Sequence, residues 1–373
     1  MALTLGGVRL LDDRGDLRRG YLRIEGERIA AAGWDEPESV DLDLEGSIVL
    51  PGFVDMHCHG GGGGEYASAD PEQIARAAMT HREHGTTTSN ASLVSAYRDE
   101  LIRQIQALVP FVDNGTFHGI HLEGPWISPD YCGAHNPQTL RDPDPDEVSL
   151  VLEAGAGRIS MVTIAPELPG ALASIERIVA AGAIAAVGHT AANADAAHAA
   201  VDAGATVATH LFNAMPPLLH RAAGPVGVLL ANRSVVVELI SDGVHLSPEV
   251  VALALASAAG RSALITDAMA AAGAPDGDYT LGGLEVVVAD GQARLASSGA
   301  LAGSTLLMDR AVRRAVHLAG VSLADASHSA SATPARALGL TDRGSLDAGK
   351  RADLVVLDDE LRVERVMRAG AWV

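Results

Sequence analysis

At 373 residues the chain can bury one large core with a smaller one attached. Its formal net charge of −20 argues against nucleic acid and anionic membrane as partners, and any anionic substrate would need local positive groups against that field. Only 3% of residues are aromatic, while alanine, glycine and valine dominate and apolar runs alternate with turn signals, an α/β profile.

Cys58 and Cys132 are the only cysteines, which argues against a disulfide framework and for a reducing cytoplasm. Asp12, Asp13 and Asp16 stand where a signal peptide would need an apolar core. The uncharged stretch Ile178 to Ala194 is interrupted by Gly182, Gly188, His189 and Asn193, so it reads as buried strand and loop rather than a membrane span. A soluble, cytoplasmic protein is expected.

In chain order, residues 1–50 carry short strand patterns, Leu3 to Leu11, Tyr21 to Ile24 and Arg28 to Ala32. Asp353 to Leu357 and Val363 to Met367 have the same texture, so 1–50 and 343–373 are expected to pair into one small β domain. Between them, over 51–342, strands alternate with helices. Helices are predicted at Pro71 to His84, Arg98 to Val109, Leu172 to Ala181, Ala192 to Ala203, Pro248 to Ala259 and Met308 to Ala319. Strands are predicted at Thr86 to Ala91, Gly119 to Glu123, Ile159 to Ile164, Ala183 to His189, Thr206 to Leu211, Val235 to Ile240 and Ala263 to Asp267. With the strand before His57 that makes eight. The expected fold is α/β, a (β/α)8 TIM barrel with a small β-sandwich domain from the two ends, its chemistry at the C-terminal strand ends. Tyr279 to Leu295, with its Gly-Gly and Asp-Gly turns, is expected to be a β insertion after the eighth strand.

Ligand-type side chains fall at one end of those strands. In Pro51-Gly52-Phe53-Val54-Asp55-Met56-His57-Cys58-His59 the two histidines share a strand face, because alternate side chains point the same way. Glu123, His189, His210 and Asp267 end four later strands. Four imidazoles and two carboxylates on one rim suit one or two divalent ions. The run Gly60 to Gly64 lacks the GxxxxGK[ST] pattern of a phosphate loop and reads as a flexible turn. His81, His84, His118, His198, His220, His317 and His328 default to surface or packing roles.

The segments His121-Leu122-Glu123-Gly124-Pro125-Trp126, Gly133-Ala134-His135-Asn136-Pro137, Val187-Gly188-His189-Thr190, His210-Leu211-Phe212-Asn213-Ala214-Met215, Asp242-Gly243-Val244-His245 and Thr266-Asp267-Ala268 extend the pattern over nearly the whole chain. In these the chain resembles the amidohydrolase superfamily and, within it, the N-acetylglucosamine-6-phosphate deacetylases. Relatives such as dihydroorotases bridge two metals with a carboxylated lysine, but the sole lysine here, Lys350, lies outside the barrel, leaving Glu123 as the shared carboxylate.

The resemblance implies a divalent metal, with Zn first and Fe, Co, Mn or Cd as alternatives. Glu123, His189 and His210 would bind one ion, and His57 and His59, with Glu123 and Asp267, a second; keeping the His-x-His pair favours two. It implies Asp267 as catalytic acid–base and a phosphorylated amino sugar as the small-molecule substrate. Asn213, Ala214, Arg221 and His245 would hold the phosphate, with Asp242 in the same motif. Ala134 and His135 would meet sugar hydroxyls, while Leu301 and Ala302 would close over the ring. Cys132 stands where relatives often carry lysine, and is assigned to a substrate-contacting lid. In relatives the arginine reaches across from a second subunit, so a homodimer is expected, with Arg221 contributed across the interface. Deacetylation of the galactosamine epimer, another amidohydrolase activity and a catalytically inactive scaffold are the alternatives.

Overall fold

The computed structural model describes residues 2–35 and 37–373. Both chain ends enter one eight-stranded sheet. Its path runs Ala371–Trp372, Val363–Arg368, Leu354–Leu357, Ile48–Pro51, Ala2–Leu11, Leu17–Glu25 and Arg28–Gly33, with Leu42–Asp43 added beside Ala2–Leu11. Period-two patterning explains why these segments are strands. Leu22 and Ile24 are buried while Arg23 and Glu25 face solvent.

Two strands of this sheet are covered on both faces. Val49, Leu354 and Val356 point into the small core with Leu5, Leu22 and Ile29. Their alternating neighbours Ile48, Leu50, Val355 and Leu357 point into the large core instead. Each such buried aliphatic side chain contributes roughly 1.5–3 kcal/mol, so the two cores are joined by hydrophobic burial rather than by a linker. Pro51-Gly52 then hands the chain directly to the first barrel strand, Phe53–Asp55.

The barrel strands are Phe53–Asp55, Thr86–Leu93, Gly119–Glu123, Ile159–Ile164, Ile184–Val187, Val207–Ala208, Val236–Ile240 and Ser262–Ile265. All pair in parallel with their sequence neighbours. The first and eighth strands close the ring just past their ends. There the Asp267 N–H donates to the His57 carbonyl at 2.9 Å, and the His59 N–H donates to the Ala268 carbonyl at 2.8 Å. The expected (β/α)8 barrel is therefore the observed one, and closure itself lies beside the His-x-His pair.

The predicted helices form as Pro71–Glu83, Arg98–Asp113, Ala171–Ala180, Ala194–Asp202, Pro248–Ser257 and Met308–His317. Asp70 and Asn193 cap two of them by accepting from the Glu72 and Ala196 N–H groups. Four further helices were not anticipated: Pro145–Ala154, Gly224–Ala231, Leu323–Ala330 and Ala332–Ala337. Gly224–Ala231 carries glycines and a proline and is apolar on every side, so no amphipathic period marks it. The three-stranded sheet Gly277–Leu281, Leu284–Ala289 and Gln292–Leu295 follows the eighth strand. Its Leu281, Val286 and Leu295 pack on Met269, Ala271 and Ala302, which seats it over the barrel rim.

Candidate metal centre

His57 and His59 leave the first strand on one face, and Cys58 on the other, where its thiol lies 3.2 Å from His81 Nε2. Glu123 closes the third strand. The fifth, sixth and eighth strands stop two residues before His189, His210 and Asp267, which adopt φ of 48°, 26° and 48°. Left-handed backbone is rare in non-glycine residues and turns each side chain back over the barrel mouth. This is why the expected strands Ala183 to His189 and Thr206 to Leu211 are shorter in the structure.

These turns converge six side chains. His189 and His210 Nε2 lie 3.1 and 2.9 Å from Glu123 Oε1 and 3.0 Å from each other. On the other side His57 and His59 Nε2 are 3.0 Å apart, and His59 Nε2 lies 3.2 Å from both Glu123 Oε2 and Asp267 Oδ1. Two donor sets result, His57–His59–Glu123–Asp267 and Glu123–His189–His210, each with its ligand atoms within 4.8 Å of one another. Glu123 belongs to both.

The donors fit divalent ions. The His57 Nδ1 faces Glu238 Oε2 at 3.1 Å, and the His189 Nδ1 faces the Tyr131 carbonyl at 2.9 Å. Both partners accept, so with an ion bound each ring would carry its proton on Nδ1 and turn an Nε2 lone pair into the centre. Nitrogen lone pairs aimed at each other repel unless a cation lies between them. Zn–N bonds of about 2.0–2.1 Å in a tetrahedron would separate two nitrogens by roughly 3.3 Å, close to the spacing here.

Without an ion, the electrostatics are strongly coupled. Burial would lift the Glu123 carboxyl, but the His57 charge and hydrogen bonds from His135, His189 and His210 hold it well below its ordinary range. Burial likewise opposes Asp267, yet His57 and His59 hold it down at about 2. In the other direction, burial pulls His57 down, but Glu123, Asp267 and Glu238 together raise it well above the usual histidine range.

The centre forms the floor of a cavity of about 380 Å³. Of the other residues singled out in the sequence, Ala134, His135, Asn213, Ala214, His245 and Leu301 line it. Asp242 stands behind His245, its Oδ2 2.7 Å from His245 Nδ1. Burial works against a charged His245, but the hydrogen bond and charge of Asp242 raise its pKa. Cys132 and Ala302 do not line the cavity; their neighbours Tyr131, Gly133, Leu301 and Gly303 do. Arg221 does not line it either and lies exposed in the Leu219–Ala222 turn. No lysine or arginine is among the lining residues.

Sequence reasoning missed Glu238. It is fully buried in the seventh strand, where it holds the His57 ring and also accepts from the His210 N–H at 3.1 Å. The signal was a single charge inside the apolar run Val235-Val236-Val237-Glu238-Leu239-Ile240. His121, in the quoted motif, is no donor: its nitrogens lie 2.9 and 2.8 Å from the Ser92 and Thr163 hydroxyls.

Residues 48–373 match the model of the amidohydrolase family. The chain belongs to that family. Among relatives, an N-acetylgalactosamine-6-phosphate deacetylase of Escherichia coli O157:H7 is 38% identical, with 99% of each chain covered. An N-acetylglucosamine-6-phosphate deacetylase of Danio rerio is 35% identical, covering 89% of this chain and 86% of the relative. Among solved structures, the N-acetyl-D-glucosamine-6-phosphate deacetylase of Mycobacterium smegmatis is 48% identical and superposes with a TM-score of 0.95, with 100% of each chain covered. A mutant of that enzyme is known in complex with N-acetyl-D-glucosamine-6-phosphate.

Proposed function

We propose that the protein hydrolyses the acetamide of N-acetylglucosamine 6-phosphate, yielding glucosamine 6-phosphate and acetate. The observation that carries this is Glu123, shared by two histidine sets beneath an open cavity, with the ionised Asp267 beside it. Two ions per chain are the favoured occupancy and zinc the favoured metal, because the donors are imidazoles and carboxylates. His57, His59, Glu123 and Asp267 would hold one, and Glu123, His189 and His210 the other. A bound divalent ion polarises an acyl oxygen and lowers the pKa of water to about 7.

The remaining roles belong to the chain. As water adds to the acetyl carbon, Asp267 takes its proton, which its depressed pKa leaves it free to accept. As the C–N bond breaks, the same carboxyl returns that proton to the departing amine, so the atoms balance as acetate and free amino sugar. His245, held by Asp242, offers Nε2 to the carbonyl or the phosphate. His135 is pushed down to about 4, by burial above all, so it faces the sugar as a neutral ring. Asn213 and Ala214 line the wall assigned to the phosphate.

A phosphate dianion in a cavity without lysine or arginine needs a cation from elsewhere. Arg221 suits it by guanidinium geometry, and its exposed turn, flanked by the exposed Leu218 and Leu219, would deliver it into the partner's cavity of a homodimer. The galactosamine epimer is a second reading, favoured by the 38% identity to the Escherichia coli relative of that name. Among the described residues no helix is long and apolar enough to cross a membrane. Acetate release from both phosphorylated epimers, with and without chelator, tests the assignment. No metal-dependent release from either would overturn it.

A further inference from the structure

A second groove lies behind the loop that carries His245. One wall is the helix Met308–His317, whose Arg310, Arg313, Arg314 and His317 recur at helical spacing along one stripe. The opposite wall is Asp242-Gly243-Val244 with the Asp290–Gly291 turn, and the space between measures about 600 Å³.

Asp242 and Asp290 are the carboxylates lining this groove, and neither forms an ion pair with its arginines. None of the three arginines has a carboxylate within 4.0 Å among the described residues, on a chain whose net charge is −20. Asp242 does not serve them, because its carboxylate already accepts from the Val244 and His245 N–H groups and from the His245 ring. The Arg314 Nε–H is buried with no acceptor, a donor whose desolvation nothing in the chain offsets. Its guanidinium lies against Gly243, where a Cβ would collide with it, so the bare backbone there makes room for the cation. Complementing the helix C-terminus would account for Arg314 and His317 in the last turn, but not for Arg310 and Arg313 upstream.

We propose that the groove between Arg310, Arg313, Arg314 and Gly243 is a second binding site, for a small phosphate dianion, and that its occupancy is felt at His245. Guanidinium forks match phosphate oxygens, and the volume admits inorganic phosphate or a sugar phosphate. Gly243 and Val244 form its wall while His245, the next residue, lines the catalytic cavity. Seating an anion on Arg314 therefore alters the support of the loop that presents His245. This coupling rests on the deacetylase reading; the binding itself does not.

The test is calorimetric titration of the metal-loaded protein with inorganic phosphate and, separately, glucosamine 6-phosphate, at constant ionic strength. In an Arg221→Ala background, which removes the phosphate contact proposed for the catalytic cavity, Arg310→Gln/Arg313→Gln should weaken the remaining phosphate binding about tenfold or more, the effect of losing charge-assisted contacts. Comparing the two titrations tells which phosphate source the groove takes. In turnover assays, inorganic phosphate competes at the catalytic cavity in every variant and moves KM there, so the readout is kcat, which phosphate should shift in the wild type and not in the double variant. Each arginine replaced singly, with thermal unfolding monitored, guards against misfolding. Equal phosphate affinity in wild type and variants, or the same response to chloride, would overturn the site. Absence of acetate release would remove the deacetylase reading and leave the binding result standing.

Discussion

Glu238 and His57 meet at 3.1 Å in the barrel floor, both with no solvent exposure. One carboxylate oxygen, Oε2, serves the ring of a donor from the first strand and the backbone of a donor from the sixth. The other, Oε1, has no partner among the described residues. A buried carboxylate spent on aiming two histidines is a structural signature of a metal centre.

Glu238→Gln keeps the shape and removes the charge that fixes the His57 tautomer. Metal affinity at the His57–His59 position should fall by about 10–100-fold, the usual effect of losing such a partner. Competition against a chromophoric chelator measures it. Unchanged affinity would show that packing alone aims the ring.

Asp267→Asn should preserve the fold and the ion held by Glu123, His189 and His210, and lower kcat by about 10²–10⁴-fold. Metal content beside steady-state turnover checks both halves. Near-normal turnover would remove Asp267 from the proton path.

Arg221→Ala should raise KM for the phosphorylated sugar and leave the unphosphorylated sugar almost unaffected. Parallel kinetics with the two substrates decide it, and equal effects on both would contradict a phosphate role. Mixing Arg221→Ala with Asp267→Asn subunits should restore part of the activity if the arginine acts across a dimer.

Metal uptake should release protons. Burial pulls His57 and His59 toward the neutral ring, but Glu123 and Asp267 overcome it, lifting His57 well above its usual range and His59 to about 9. Between pH 7 and 9, as flagged by that value of about 9, the metal-free rings still hold protons that an ion must displace, so apparent affinity rises with pH across this window. Calorimetry in buffers of different ionisation enthalpy reads the released protons. Buffer-independent heats would argue that these histidines are neutral before binding.

Much of this was readable in the chain because strand periodicity and ligand spacing are local. Most of the barrel strands announced themselves by apolar runs, Thr86–Leu93 being marked instead by its three successive threonines, and the six ligand candidates by standing at strand ends. What stayed hidden depends on distant contacts. Glu238 is 181 residues from His57, and nothing near either residue reports the contact. The final turn of each ligand was hidden for another reason. His189, His210 and Asp267 leave their strands through left-handed backbone that no propensity favours, so the strands looked longer than they are. Cys132 and Ala302 sit one residue from the cavity wall, a register that motif matching alone cannot resolve.

The strand Ile48–Pro51 is flanked in the small sheet by Leu354–Leu357, and between them the ribosome makes some three hundred residues, an order-of-magnitude span. During synthesis the lead-in to the histidine-bearing strand therefore emerges with one edge bare, and that edge is covered only once Leu354–Leu357 has been translated. The strand pair that belongs to both cores is thus joined only after every barrel strand has left the ribosome.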